Sequence, residues 1–149
     1  MSFLPLDIDP KAMKAMTDHA EAAFPNECCG FFYGTEDGKV RSVITSTEVT
    51  NSKEGDQRRR FAISDMDYLR AERHAAKEGL TLLGVYHSHP LHPAIPSEHD
   101  LAVALPYFSY IIVSVQPDGT DHVRSWQLND SRQFEEEHIV ALPDTLKVA

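Results

Sequence analysis

Apolar and polar positions alternate along this chain with two periods, one helical and one extended. After Asp9-Pro10, an N-cap followed by a first-turn proline, the residues Ala12, Met13, Met16, Ala20, Ala23 and Phe24 recur at helical spacing. They predict an amphipathic helix through about residue 24, ended by Pro25-Asn26. Residues 29–34 form a short apolar run leading into the turn Glu36-Asp37-Gly38, and residues 39–49 are rich in β-branched side chains, which predicts a hairpin. Residues 51–57 are polar and predict a loop with room for mobility, and residues 58–63 predict a further strand. Ser64-Asp65-Met66-Asp67 opens a second helix over about 65–78, closed by Gly79.

The run 80–87 predicts the central strand, and the three prolines of Pro90-Leu91-His92-Pro93-Ala94-Ile95-Pro96 predict a stiff, extended loop. A short helix over about 97–105 follows. Residues 107–115 and 122–128 flank the turn Pro117-Asp118-Gly119 and predict a second hairpin, while 134–142 fits a last strand better than a short helix. Three helices among about six strands, with no internal repeat or low-complexity linker, predict an α/β fold built on a mixed sheet.

Length and composition narrow the class. The 149 residues suffice for one domain with its own core and are too few for two, so residues 1–149 are expected to form a single domain. No apolar run approaches the roughly 18 residues of a membrane span, and the N-terminal Met1-Ser2-Phe3-Leu4-Pro5-Leu6-Asp7 lacks the features of a signal peptide, so a soluble cytoplasmic protein is expected. Fourteen basic against twenty-three acidic side chains give a formal charge of −9, which argues against a nucleic-acid surface. The two cysteines, Cys28 and Cys29, are adjacent and form neither a C-x-x-C pair nor a disulfide framework.

Chemistry concentrates in one place. Four of the eight histidines, His87, His89, His92 and His99, fall within thirteen residues at the end of the central apolar run. On a strand His87 and His89 share a face while Ser88 points away, so two imidazoles converge. Asp100 supplies a carboxylate close by. Two neutral nitrogens and one carboxylate, with a fourth position open, are the ligand set of a catalytic rather than a structural zinc. Taken singly, each histidine also fits an ordinary surface or core role, as does Glu27 after its helix. Ser97-Glu98-His99-Asp100 is equally a capping box.

The pattern His87-Ser88-His89-Pro90, a spacer, then Ser97-Glu98-His99-Asp100, with ten residues between His89 and Asp100, resembles the signature of the JAMM (MPN-plus) metalloproteases. Pro25-Asn26-Glu27-Cys28-Cys29-Gly30 is similar to the family segment P-x-E-x-C-G, so the resemblance extends over nearly the whole chain. It implies the compact JAMM/MPN sheet flanked by helices, related to the cytidine-deaminase architecture, with Zn2+ held by His87, His89 and Asp100. It further implies that Glu27 takes a proton from the zinc-bound water attacking a carbonyl and returns it to the leaving amine, and that the Ser97 hydroxyl bonds the water or the developing oxyanion. The activity implied is a zinc-dependent hydrolysis of peptide or isopeptide bonds at the C-terminal diglycine tail of a ubiquitin-like or sulfur-carrier protein of the MoaD/ThiS type. Two alternatives stay open: a peptidase of a phage-tail or cell-wall pathway, and a metal-free scaffold. A deaminase reaction is disfavoured by the missing H-x-E and P-C-x-x-C pattern.

The remaining residues receive plainer readings. Tyr86 and Ser88 are expected to face away from the metal and pack, Pro90 to set the chain's exit, and His92 and His99 to line the rim. Cys28 and Cys29, on opposite faces of a strand, are expected to be inert. Arg58-Arg59-Arg60 reads as a charged strand edge, Glu135-Glu136-Glu137 as solvated, and Trp126 as core; His19, His74, His122 and His138 read as structural or exposed.

Overall fold

Capping side chains set where the helices begin. In the computed structural model, which describes residues 3–140, the Asp9 carboxylate accepts the Lys11 N–H at 2.8 Å and starts α1 (Pro10–Ala23). Ser64 accepts from Asp67 N–H to start α2 (Asp65–Glu78), and Gly79 closes that helix in the left-handed conformation at φ 67°. Ser97 starts the short α3 (Glu98–Val103).

The strands are β1 (Leu6–Ile8), β2 (Cys29–Glu36), β3 (Arg41–Val49), β4 (Thr81–Pro90), β5 (Ser109–Gln116), β6 (Gly119–Leu128), β7 (Phe134–Glu137) and β8 (Ile139–Val140). They form one mixed sheet in the order β7-β6-β5-β4-β2-β3-β1-β8. β4 lies at its centre, antiparallel to β2 and parallel to β5. α1 buries Ala12, Met13, Met16 and Ala20 against Phe32, Tyr86, Ile111 and Val113 on one face, and α2 buries Ala71 and Ala75 on the other, beside Phe31, Tyr33 and Val85. Each large apolar side chain so buried contributes about 1.5–3 kcal/mol. The expected α/β sheet flanked by helices is therefore the fold. Among the described residues no helix is long and apolar enough to cross a membrane.

The C-terminal stretch read as one strand is two. β7 pairs with β6 at one end of the sheet and β8 pairs with β1 at the other, with only His138 between them; residues 141 and 142 of that predicted strand lie outside the described residues. Two residues span at most about 7 Å, so the sheet curls until its ends meet, and Leu6 N–H donates to the His138 carbonyl at 2.8 Å. A buried polar seam spans the curl: Arg41 donates to Ser109 Oγ, and the hydroxyls of Ser109 and Ser125 both donate to the Glu137 carboxylate at 2.8 Å. Glu137 is thus buried, unlike the solvated residue expected. β1 is an additional short strand that the sequence pattern did not reveal.

Residues 58–63 are not a strand. Asn51 Nδ2 donates to the Arg60 carbonyl, and Asn51 Oδ1 accepts the Ala62 N–H, so one side chain takes the backbone groups that a ladder would use. The apolar alternation is real, since Phe61 and Ile63 pack toward α2. Arg58, Arg59 and Arg60 therefore lie on a loop rather than a sheet edge. The preceding loop, expected to be polar with room for mobility, is laced by Asn51 and by Gln57 Nε2, which donates to the carbonyls of Asn51 and Lys53.

Candidate metal and catalytic site

β4 carries the first two site residues past the end of the core. His87 and His89 face the α2 side with Val85, while Tyr86 and Ser88 face the α1 side, as period-two geometry requires. The Tyr86 ring lies across Gly30 of β2, where a Cβ would come within 2.2 Å of it, so only glycine fits opposite. Ser88 has a task beyond packing: its Oγ accepts the Cys28 N–H at 2.8 Å, and Ser88 N–H donates to the Cys28 carbonyl.

That pairing delivers Glu27. Cys29 pairs with His87 in the antiparallel register, so Glu27 comes opposite His89 although the two are sixty-two positions apart in sequence. Its backbone is fixed from a second side, with Glu27 N–H donating to the Gln57 carbonyl and Asn51 Nδ2 donating to the Glu27 carbonyl. Asn51 spends both donors and both lone pairs on this work. Sequence reading missed it, since an asparagine after a strand signals only a turn.

Three donor atoms meet at one point. His87 Nε2 and His89 Nε2 are 3.2 Å apart, His89 Nε2 and Asp100 Oδ2 3.1 Å, and His87 Nε2 and Asp100 Oδ2 3.3 Å. Tetrahedral ligands at about 2.0–2.1 Å from a zinc ion are about 3.3 Å from one another, so the triangle matches one face of such a site. All three residues are buried. α3 contributes Asp100 through its capping box: Ser97 N–H donates to Asp100 Oδ2 at 2.9 Å and Asp100 N–H to Ser97 Oγ at 3.1 Å.

Tautomer logic makes the donor set more specific. His89 Nδ1 lies 2.9 Å from the Pro93 carbonyl, which can only accept, so Nδ1 carries a proton. In a neutral His89 the Nε2 lone pair then faces the Asp100 carboxylate, an acceptor against an acceptor. A proton or a metal cation must sit between them, and the same hydrogen bond is the outer support that metal-bound histidines use. His87 is stacked on Phe61 with ring centroids 4.4 Å apart, and its buried Nδ1 has no hydrogen-bond partner.

The charges follow. Burial pushes His87 down; burial also lowers His89, but the bonds to Asp100 and the Pro93 carbonyl outweigh it and hold His89 above its usual value. Asp100, which burial alone would raise, is held well below the usual carboxylate range by His87, His89 and the Ser97 N–H. Burial pushes the Glu27 carboxyl up to about 8, with His89 opposing the shift and the Asp100 charge adding to it. Glu27 Oε1 is buried without a partner.

A cavity of about 490 Å³ opens here, lined by Glu27, Arg59, His89, His92, Pro93, Ile95 and Ser97. The Ser97 oxygen caps α3, and the residue also lines this cavity. His92 lies at this mouth, whereas His99 lines a second, more apolar cavity of about 560 Å³ beside Phe61, Tyr68 and Phe108. Cys28 and Cys29 fall in opposite cores, and burial pushes each thiol up to about 12.

Comparison with known proteins gives a consistent result. A family described as prokaryotic homologs of the JAB domain matches residues 9–129. A Thermus thermophilus protein described as a probable TtuB-protein conjugate cleaving protease is 40% identical over 65 residues, covering 44% of this chain and 40% of its own length. A Pyrococcus furiosus desampylase is 27% identical over 114 residues, covering 76% of this chain and 75% of its own. Two solution structures share the fold: one from Desulfitobacterium hafniense with TM-score 0.79 and 32% identity over 91% of both chains, and one from Salinibacter ruber with TM-score 0.70 and 34% identity over 95% of both.

Proposed function

Because this chain belongs to the prokaryotic JAB-domain (JAMM) family, we propose that it is a zinc-dependent hydrolase of peptide or isopeptide bonds at the C-terminal tail of a ubiquitin-like or sulfur-carrier protein. The observation that carries this reading is the triangle of His87, His89 and Asp100 donors, with the unpartnered Glu27 carboxylate oxygen beside it. The conjugate-cleaving protease and the desampylase among its relatives support a protein conjugate as substrate.

His87, His89 and Asp100 would hold the zinc ion. Zinc bound there would supply Lewis acidity toward the scissile carbonyl and toward water. Glu27 does the proton work: it takes a proton from the attacking water at Oε1 as the C–O bond forms and gives it to the amine nitrogen as the C–N bond breaks. Burial raises the Glu27 carboxyl in the metal-free protein, and a cation bound beside it would favour the ionised form that accepts the proton. The Ser97 O–H donates to the oxygen on which negative charge develops.

Metal content and cleavage test this together. The purified protein is expected to hold one zinc per chain, and His87→Ala and Asp100→Asn are expected to lose it; full retention in both would remove the ligand assignment. Zinc-loaded protein incubated with a carrier fused beyond its diglycine tail is expected to release the carrier at its mature mass. An intact fusion at stoichiometric enzyme would remove the substrate assignment.

A further inference from the structure

The loop from Pro90 to Pro96 has to present one carbonyl, that of Pro93, to His89 Nδ1. Every N–H the loop possesses is committed. Leu91 N–H donates to Val115, His92 N–H to His89, Ile95 N–H to Pro93, and Ala94 N–H to the ring of His122 at 3.0 Å. The carbonyl of Ala94 accepts from Trp126 Nε1 at 2.9 Å. Ala94, fully buried, is therefore gripped through both polar groups by two side chains of β6, four residues apart on one face of the strand.

The His122 tautomer is determined by its neighbours. An amide N–H can only donate, so Nε2 accepts and Nδ1 bears the proton, which it donates to Asp121 Oδ2 at 2.6 Å. Neither His122 nor Trp126 lines the cavity beside Glu27, and neither hydrogen-bonds to His87, His89 or Asp100. Their shared target is the residue after the carbonyl that orients His89.

We infer that His122 and Trp126 are positioning residues for His89, acting through the Ala94 peptide to hold the Pro93 carbonyl against His89 Nδ1. This deepens the zinc-hydrolase reading and rests on it for what the His89 ring is positioned to do. Outer hydrogen-bond partners of a metal ligand typically change metal affinity by about 10–100-fold. Contacts one step further out act at or below the lower end of that range.

Two readouts test it on the whole protein: the zinc dissociation constant by chelator competition, and the exchange of the His89 Nδ1 proton with water, by NMR, in metal-stripped protein. Trp126→Phe removes the donor and keeps the ring; His122→Leu removes the acceptor; His122→Gln returns one. Trp126→Phe and His122→Leu are expected to weaken zinc binding about 3–10-fold and to speed that exchange, with His122→Gln recovering part of both. Unchanged affinity and exchange in folded Trp126→Phe and His122→Leu would overturn the inference, as would a His122→Gln no better than His122→Leu. Should His122→Leu fail to fold, Trp126→Phe and His122→Gln decide against wild type. A wild type that binds no zinc would instead overturn the hydrolase reading, and the exchange measurement would still decide the positioning.

Discussion

Replacing Glu27 with glutamine separates its stability cost from its chemistry. The carboxyl ionises near pH 4.5 in an ordinary setting and near 8 in the folded protein. Its folded pKa is raised, so the folded state holds a proton that the unfolded chain gives up, and stability falls as pH rises from about 4.5 to about 8, then levels off. Taken whole, a shift of that size corresponds to about 4–5 kcal/mol; water entry and the unpaired amide of the replacement reduce the expected gain to about 1–3 kcal/mol. Glu27→Gln, neutral at every pH, should therefore stabilise metal-free protein at pH 8–9 by about 3–8 °C in Tm, with the advantage vanishing toward pH 4.5. Zinc should narrow the gap, since a nearby cation favours the ionised carboxylate. The same variant should bind zinc and fail to cleave. Chemical denaturation across pH, with and without zinc, measures the first part. A variant no more stable than wild type at pH 8–9 would refute the burial argument, and wild-type turnover would remove Glu27 from the mechanism.

Two further outcomes follow from the same geometry. Ser97→Ala should lower Tm modestly, because a helix cap contributes about 1 kcal/mol, and lower kcat about 100-fold, because a single oxyanion donor contributes about 3 kcal/mol; a stability loss with kcat intact would leave Ser97 as a cap alone. Zinc affinity should level off only above about pH 8, where Glu27 is already ionised, and fall as pH drops through that value and through the raised pKa of His89, because zinc favours the Glu27 carboxylate and Nε2 must shed its proton to bind metal. Zinc titrations from pH 5.5 to 8.5 check this, and a pH-independent affinity would contradict the proton-for-metal exchange.

How much of this was legible in the sequence depended on how far each interaction reaches along the chain. The helices carry their own starts, Asp9, Ser64 and Ser97, and one its own stop, Gly79, so the pattern places them within a residue or two. Two of the candidate metal donors lie on one strand and the third at a helix start, joined by one stiff loop, so alternation and spacing brought His87, His89 and Asp100 together. Glu27 was different. No local pattern marks it, and it reaches the site only through the register of β2 against β4; here the family resemblance supplied what periodicity could not.

The misreadings share one cause. Residues 58–63 alternate as a strand does, yet the backbone partners that decide between strand and loop come from Asn51, a residue that local pattern cannot assign as a partner. Residues 134–142 fit a single strand better than a short helix, yet the break at His138 arises because the sheet curls shut there, a property of the described strands taken together. That closure also buries Glu137, the last of three consecutive glutamates that are identical as sequence and distinguishable only by the seam of Arg41, Ser109 and Ser125. His122 and Trp126 belong to the same class: nothing in β6 announces them, because their partner is a peptide group rather than a side chain, and a peptide group leaves no trace in a residue pattern. What the sequence hides at this site is therefore its scaffolding. The donors are encoded by residue type, and the groups that aim them are encoded by topology.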